Sequence, residues 1–152
     1  QSHSDISLRM EMYNAFKSPL IERYINKTHL EQKPLVKHIL QICPDYDSLG
    51  EDLATGYNIT IYDSGELDET FYDKKGEKII MPELTKWQCE IHPIVIASET
   101  SQPYEKDWAD YHRRGLELAH QLRELLLDEC DLWYAAPVED KSGTITKSIF
   151  VL

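Results

Sequence analysis

The chain has 152 residues, with 27 Asp and Glu against 16 Lys and Arg, six His and a formal charge of −11. A chain of this length buries roughly 70% of its unfolded surface as one domain, here 4–152, with Gln1, Ser2 and His3 read as an appended remnant. Its apolar share of 41% and charged share of 28% are those of a globular protein. The net negative sign argues against nucleic acid as a partner, because phosphates select Lys and Arg.

No apolar run approaches the roughly 20 residues of a membrane span, and no signal-peptide pattern is present, so a soluble cytoplasmic chain is expected with no membrane partner. Cys43, Cys89 and Cys130 are three in number and lie more than forty residues apart. Neither a disulfide framework nor a zinc site follows from such spacing, and buried reduced thiols are the expectation.

In chain order, Ile6, Leu8, Met10 and Met12 alternate with polar neighbours and predict a strand over 5–13. Ser18-Pro19 then supplies an N-cap and a helix-opening proline, with Leu20, Ile21, Tyr24 and Ile25 on one side. Pro34 opens a second short helix through Leu35, Val36, Ile39, Leu40 and Cys43, which Pro44 ends. Three strands follow as a meander, Tyr57 to Tyr62, Leu67 to Tyr72 and Glu77 to Met81, with turns at Asp63-Ser64-Gly65 and Lys74-Lys75-Gly76. Trp87 to Ala97 reads as a central strand interrupted at Pro93. The clearest element is a helix over 103–128, with Trp108, Tyr111, Gly115, Leu118, Leu122 and Leu125 forming the buried stripe and Gly115 permitting close approach to a sheet. A terminal hairpin joins Leu132 to Val138 with Thr144 to Val151. The expected fold is therefore α+β, a mostly antiparallel sheet of about five to seven strands with short N-terminal helices and one long amphipathic C-terminal helix.

The acid is unevenly placed. Between His38 and Asp73 there is no Lys or Arg, while nine acids occur there, Asp52 and Glu51 among them, leaving 18 acids against 16 bases elsewhere. Asp128, Glu129, Asp131, Glu139 and Asp140 form a smaller acidic group. Clustered charge of one sign steers a cationic partner, and aromatic side chains beside it supply anchors. The candidate binding residues are Asp45, Asp47, Asp63, Glu66, Asp68, Glu69, Tyr72 and Asp73. A solubilising surface is the plainer account of the same acids.

Other chemistry finds little support. His112 and His120 are eight residues apart, about 12 Å of helical rise, too far to share one metal ion. Asp45, Asp47 and Gly50 match the opening of a calcium loop, but Leu49 and Gly56 stand where ligands are needed. No nucleophile elbow, phosphate loop or activated cysteine is present, so no catalytic residue, metal or cofactor is expected.

The Leu8-Arg9-Met10-Glu11-Met12-Tyr13 strand with Ser18-Pro19-Leu20, and the Trp108 to Tyr134 stretch with Arg114-Gly115-Leu116-Glu117-Leu118-Ala119 and Leu132-Trp133-Tyr134, resemble small acidic bacterial immunity proteins. The resemblance covers both ends of the chain and implies a non-enzymatic inhibitor of a basic partner such as a toxin nuclease. Two other classes compete with it. One is a small enzyme using His92, His112 or His120 as base, and the other is an oligomeric structural subunit.

Overall fold

The computed structural model describes residues 38–100 and 105–151. The strand expected over 5–13, the helix at Ser18-Pro19 and the opening at Pro34 lie outside the described residues.

His38–Ile42 forms strand β1, not the second half of a helix. Ile39, Leu40 and Ile42 are all buried, so the segment lies inside a sheet with both faces covered. A short apolar run of this kind carries no period that separates helix from strand, and β-branched Ile39 and Ile42 favour the strand. Gly50–Asp52 forms β2 and Asn58–Ile59 forms β3. Cys130–Tyr134 and Ile149–Phe150 form β4 and β5.

The sheet order is β3-β2-β1-β4-β5. β1 and β4 run parallel, pairing His38 with Cys130 through Ile42 with Tyr134, while the other three pairings are antiparallel. The mostly antiparallel sheet expected from sequence is thus a mixed one. Its central pair is parallel because the long intervening chain returns through helices, the connection that parallel neighbours require. The expected terminal hairpin is present in shortened form, with Trp133 opposite Phe150 and Tyr134 opposite Ile149.

The meander survives only as single bridges after β3, Ile61 with Leu67, Glu66 with Ile80 and Tyr72 with Lys78. Its second turn forms as expected, closed by the Gly76 N–H on the Asp73 carbonyl at 3.0 Å.

The strand expected over Trp87 to Ala97 is instead the end of one helix and most of another, α1 (Pro82–Cys89) and α2 (His92–Glu99). Each carries a proline in its first two positions, where a missing N–H costs nothing. Pro93, which suggests a break in a strand, marks a helix start.

α3 (Trp108–Leu125) is the long helix, 18 residues rather than the longer span expected. The Asp107 carboxylate caps its start by accepting from the Asp110 N–H at 3.1 Å. Arg123 caps its end, donating to the Cys130 carbonyl at 2.7 Å and the Leu127 carbonyl at 2.9 Å. Tyr111, Gly115, Ala119 and Leu122 are buried as the stripe requires, whereas Leu125 is exposed. A Cβ on Gly115 would lie 2.6 Å from the Tyr134 hydroxyl and nearer still to the Trp87 ring. The close approach expected at Gly115 is therefore made to α1 as well as to the sheet. Trp87 also donates its indole N–H to the Tyr111 carbonyl at 2.9 Å, tying α1 to α3.

Candidate functional site

The two acidic loops nearest α1 are held by that helix. After β1 the chain turns through Asp45, Tyr46 and Asp47, all exposed, with the Asp45 N–H donating to the Ser48 carbonyl at 2.9 Å. Gln88 is 5% exposed, and its side-chain amide donates to the Asp45 carbonyl at 2.9 Å and the Tyr46 carbonyl at 3.3 Å. One turn earlier on α1, Thr85 is 7% exposed and its hydroxyl donates to the Tyr62 carbonyl at 2.8 Å. Residues three apart share a helix face, so the loop carrying Tyr62 and Asp63 lies beside the loop carrying Asp45, Tyr46 and Asp47. Burial raises the Cys89 thiol above its usual value, and the charge of Asp63 raises it further.

One of the two tyrosine rings is held in place. The Tyr46 ring stacks on His92 with centroids 4.2 Å apart and planes at 21°. Tyr46 is 43% exposed and Tyr62 48%.

The other expected binding residues are spent differently. Glu66 pairs with Lys78 at 2.8 Å, and this hydrogen bond raises the lysine's pKa. Tyr72 stands opposite Lys78 across a bridge, and the charge of Glu69 also reaches that lysine. Asp68 accepts from the Thr70 N–H at 2.9 Å, and Asp73 accepts from the Lys75 and Glu77 N–H groups at 2.8 and 2.9 Å. These two are turn-forming carboxylates. The expected set thus divides into Asp45, Asp47 and Asp63, which pair with no Lys or Arg among the described residues, and a second group bordered by Lys74, Lys75 and Lys78.

Asp52 is not part of the acidic surface. It is 1% exposed and accepts from His38 at 2.7 Å and from the Ile39 and Ala54 N–H groups at 3.0 Å. Burial alone would raise its carboxyl, but these hydrogen bonds outweigh that and hold it below the ordinary range.

A buried polar chain escapes the sequence reading. His112 places Nδ1 2.7 Å from the Tyr134 hydroxyl and Nε2 2.7 Å from Asp140 Oδ2. The His112 and Asp140 side chains are 2% and 1% exposed. Burial favours a neutral Asp140, but hydrogen bonds from His112 and Ser142 prevail and keep the carboxyl below its ordinary value. Burial, with the charge of Asp140 beside it, drives the Tyr134 phenol well above its usual value. Tyr134 therefore keeps its proton, and its hydroxyl and the Asp140 carboxylate between them occupy both ring nitrogens of His112. Both ring nitrogens are committed, so His112 offers no free position to act as a base in this arrangement. No spacing rule links His112 with Asp140, and only the Asp140-Lys141-Ser142-Gly143 turn is readable in sequence.

Burial, with Glu139, Asp45 and Glu51 around it, pushes the Cys43 thiol up to about 11. Burial takes Cys130 to about 12. Both are the reverse of an activated thiolate.

Between α1 and α3 lies a groove of about 390 Å³, floored by Trp87 and Leu118. Its charges are already paired, Arg114 with Glu90 at 2.7 Å and with Asp110 at 2.9 Å. Among the described residues no group of three or more His, Cys, Asp or Glu could hold a metal ion, and no helix is long and apolar enough to cross a membrane. Comparison of the chain with protein-family models, curated proteins and solved structures finds no match.

Proposed function

We propose that this chain is a non-enzymatic binding protein that neutralises a basic partner, the role of the acidic immunity proteins it resembles at its two ends. A secreted or intracellular toxin nuclease is a partner of suitable chemistry. Its phosphate-binding surface is cationic, and carboxylates presented by the inhibitor take the place of phosphates.

The observation that carries this reading is the exposed trio Asp45, Asp47 and Asp63, held beside exposed Tyr46 and Tyr62 in a segment with no Lys or Arg. Carboxylates accelerate encounter with a cationic surface, and aromatics give the area that short-range contact needs. The commitment of both His112 nitrogens and the raised thiols favour binding over catalysis.

The test is affinity capture from source-cell lysate at low ionic strength, followed by a salt step and identification of what is released. One basic protein released by salt supports the reading. Recovery of nothing, or of the chain itself alone, contradicts it.

A further inference from the structure

The connection between β4 and β5 is held to the body of the protein by side chains. We propose that residues 136–147 form a strap that opens as a unit while the remainder stays folded, with the Asp140 to His112 contact as its latch.

The backbone defines the ends of the strap. The Ala135 N–H donates to the Ile42 carbonyl at 2.8 Å, and Ile149 stands opposite Tyr134 in the pairing of β4 with β5. Between these points, among the described residues, no backbone hydrogen bond joins the segment to the rest of the chain. The Asp140 N–H is satisfied inside it, by the Pro137 carbonyl at 3.0 Å. Val138, the turn from Lys141 to Thr144, Thr146 and Lys147 are exposed. A segment with few buried contacts and no backbone tie opens locally at low cost.

Asp140 supplies the fastening. Its Oδ2 lies 2.7 Å from Nε2 of His112 on α3, and both side chains are almost fully buried. The other ties are weaker. The Cys43 thiol donates to the Ala136 carbonyl at 3.4 Å, and Ile145 packs against the core only partly buried. At the far end the Ser148 hydroxyl donates to the Gln41 side-chain oxygen at 3.0 Å, which secures the hinge next to β5.

Two features poise the closed strap to open. Glu139, next to the latch, has Oε1 buried without a hydrogen-bond partner, a cost that hydration in the open state removes. A pocket of about 170 Å³ is bordered by Gln41 and Ala135 and by Ile145 to Ser148, so the returning half of the strap packs loosely. Opening takes both the Ala136 carbonyl and the Glu139 charge away from Cys43.

Limited trypsin digestion of the full chain reads the opening. Cleavage at Lys147 needs the strap detached, whereas cleavage at Arg114, inside α3, needs global unfolding. At low trypsin the two rates follow the populations of the two open forms, and in the native chain Lys147 is expected to be cut about tenfold faster than Arg114 or more. Asp140→Ala removes the latch and is expected to raise cleavage at Lys147 about tenfold. Ile79→Val, which thins the core at a residue outside the strap, is expected to raise cleavage at Arg114 about fivefold and to leave Lys147 unchanged. Thermal unfolding verifies that each variant is folded. Asp140→Asn, which keeps an acceptor for His112, replaces Asp140→Ala if the latter does not fold, with an expected rise of about threefold.

Equal rises at Lys147 and Arg114 in Ile79→Val would show that the strap comes off only when the whole chain unfolds. Unchanged cleavage at Lys147 in the Asp140 variant would show that the His112 contact is no latch. Either result overturns the proposal, and neither bears on the basic-partner reading.

Discussion

Thr85 and Gln88, one turn apart on α1, each hold the backbone of a different acidic loop, Thr85 at the Tyr62 carbonyl and Gln88 at the Asp45 carbonyl. A single helical turn thereby sets the separation of the loop carrying Asp45 and Asp47 from the loop carrying Asp63. Thr85→Val and Gln88→Leu keep shape but remove the donors, leaving the Tyr62 carbonyl with the Gly65 N–H alone and the Asp45 and Tyr46 carbonyls without their side-chain partner. Each is expected to cost about 1–2 kcal/mol of stability, read as a lower urea midpoint at unchanged slope. An unchanged midpoint in both would show that the loops hold themselves.

Gly115 separates two effects of opposite sign. Ala is the better helix former by about 1 kcal/mol, so on an open helix face Gly115→Ala would stabilise. Here the added methyl meets the Trp87 ring and the Tyr134 hydroxyl, which are both buried. The expected result is a net loss of about 1–3 kcal/mol in urea unfolding. Stabilisation would mean that α3 does not pack this closely on α1 and β4.

Asp140 should make stability depend on acid. Its folded carboxyl titrates below the unfolded value of about 3.9, so its contribution is fully present above that value and is lost as pH falls through the lower folded one. Asp140→Asn, which still accepts from His112, is expected to flatten the fall in urea midpoint on acidification relative to the native chain. Tyr134→Phe, which leaves Nδ1 of His112 buried without its partner, is expected to cost about 1–3 kcal/mol near neutral pH. Parallel acid profiles for the native chain and Asp140→Asn would contradict the Tyr134, His112 and Asp140 chain.

Local patterning made part of this structure legible. The 3.6-residue spacing of Tyr111, Gly115 and Leu122 located α3, and the turn chemistry of Lys74-Lys75-Gly76 located a real reversal. It failed where tertiary context decides. Ile39, Leu40 and Ile42 fit a helix stripe and a doubly buried strand equally well, and pairing with β4 selected the strand. Ile94, Val95 and Ile96 suggest β structure, but the prolines opening α1 and α2 made that segment helical. The acidic middle was visible as composition, yet its division was not. Burial of Asp52, the Glu66 to Lys78 pair and the anchoring of two loops by Thr85 and Gln88 all depend on contacts between distant residues. The His112 to Asp140 contact spans 28 positions, and no periodicity encodes it.

The most direct test of the basic-partner role is the affinity of the captured partner at low and at high ionic strength, measured by calorimetry with the native chain. Loss of about tenfold or more in affinity as salt rises is expected if Asp45, Asp47 and Asp63 meet a cationic surface. Affinity that does not change with salt would contradict recognition through the acidic loops.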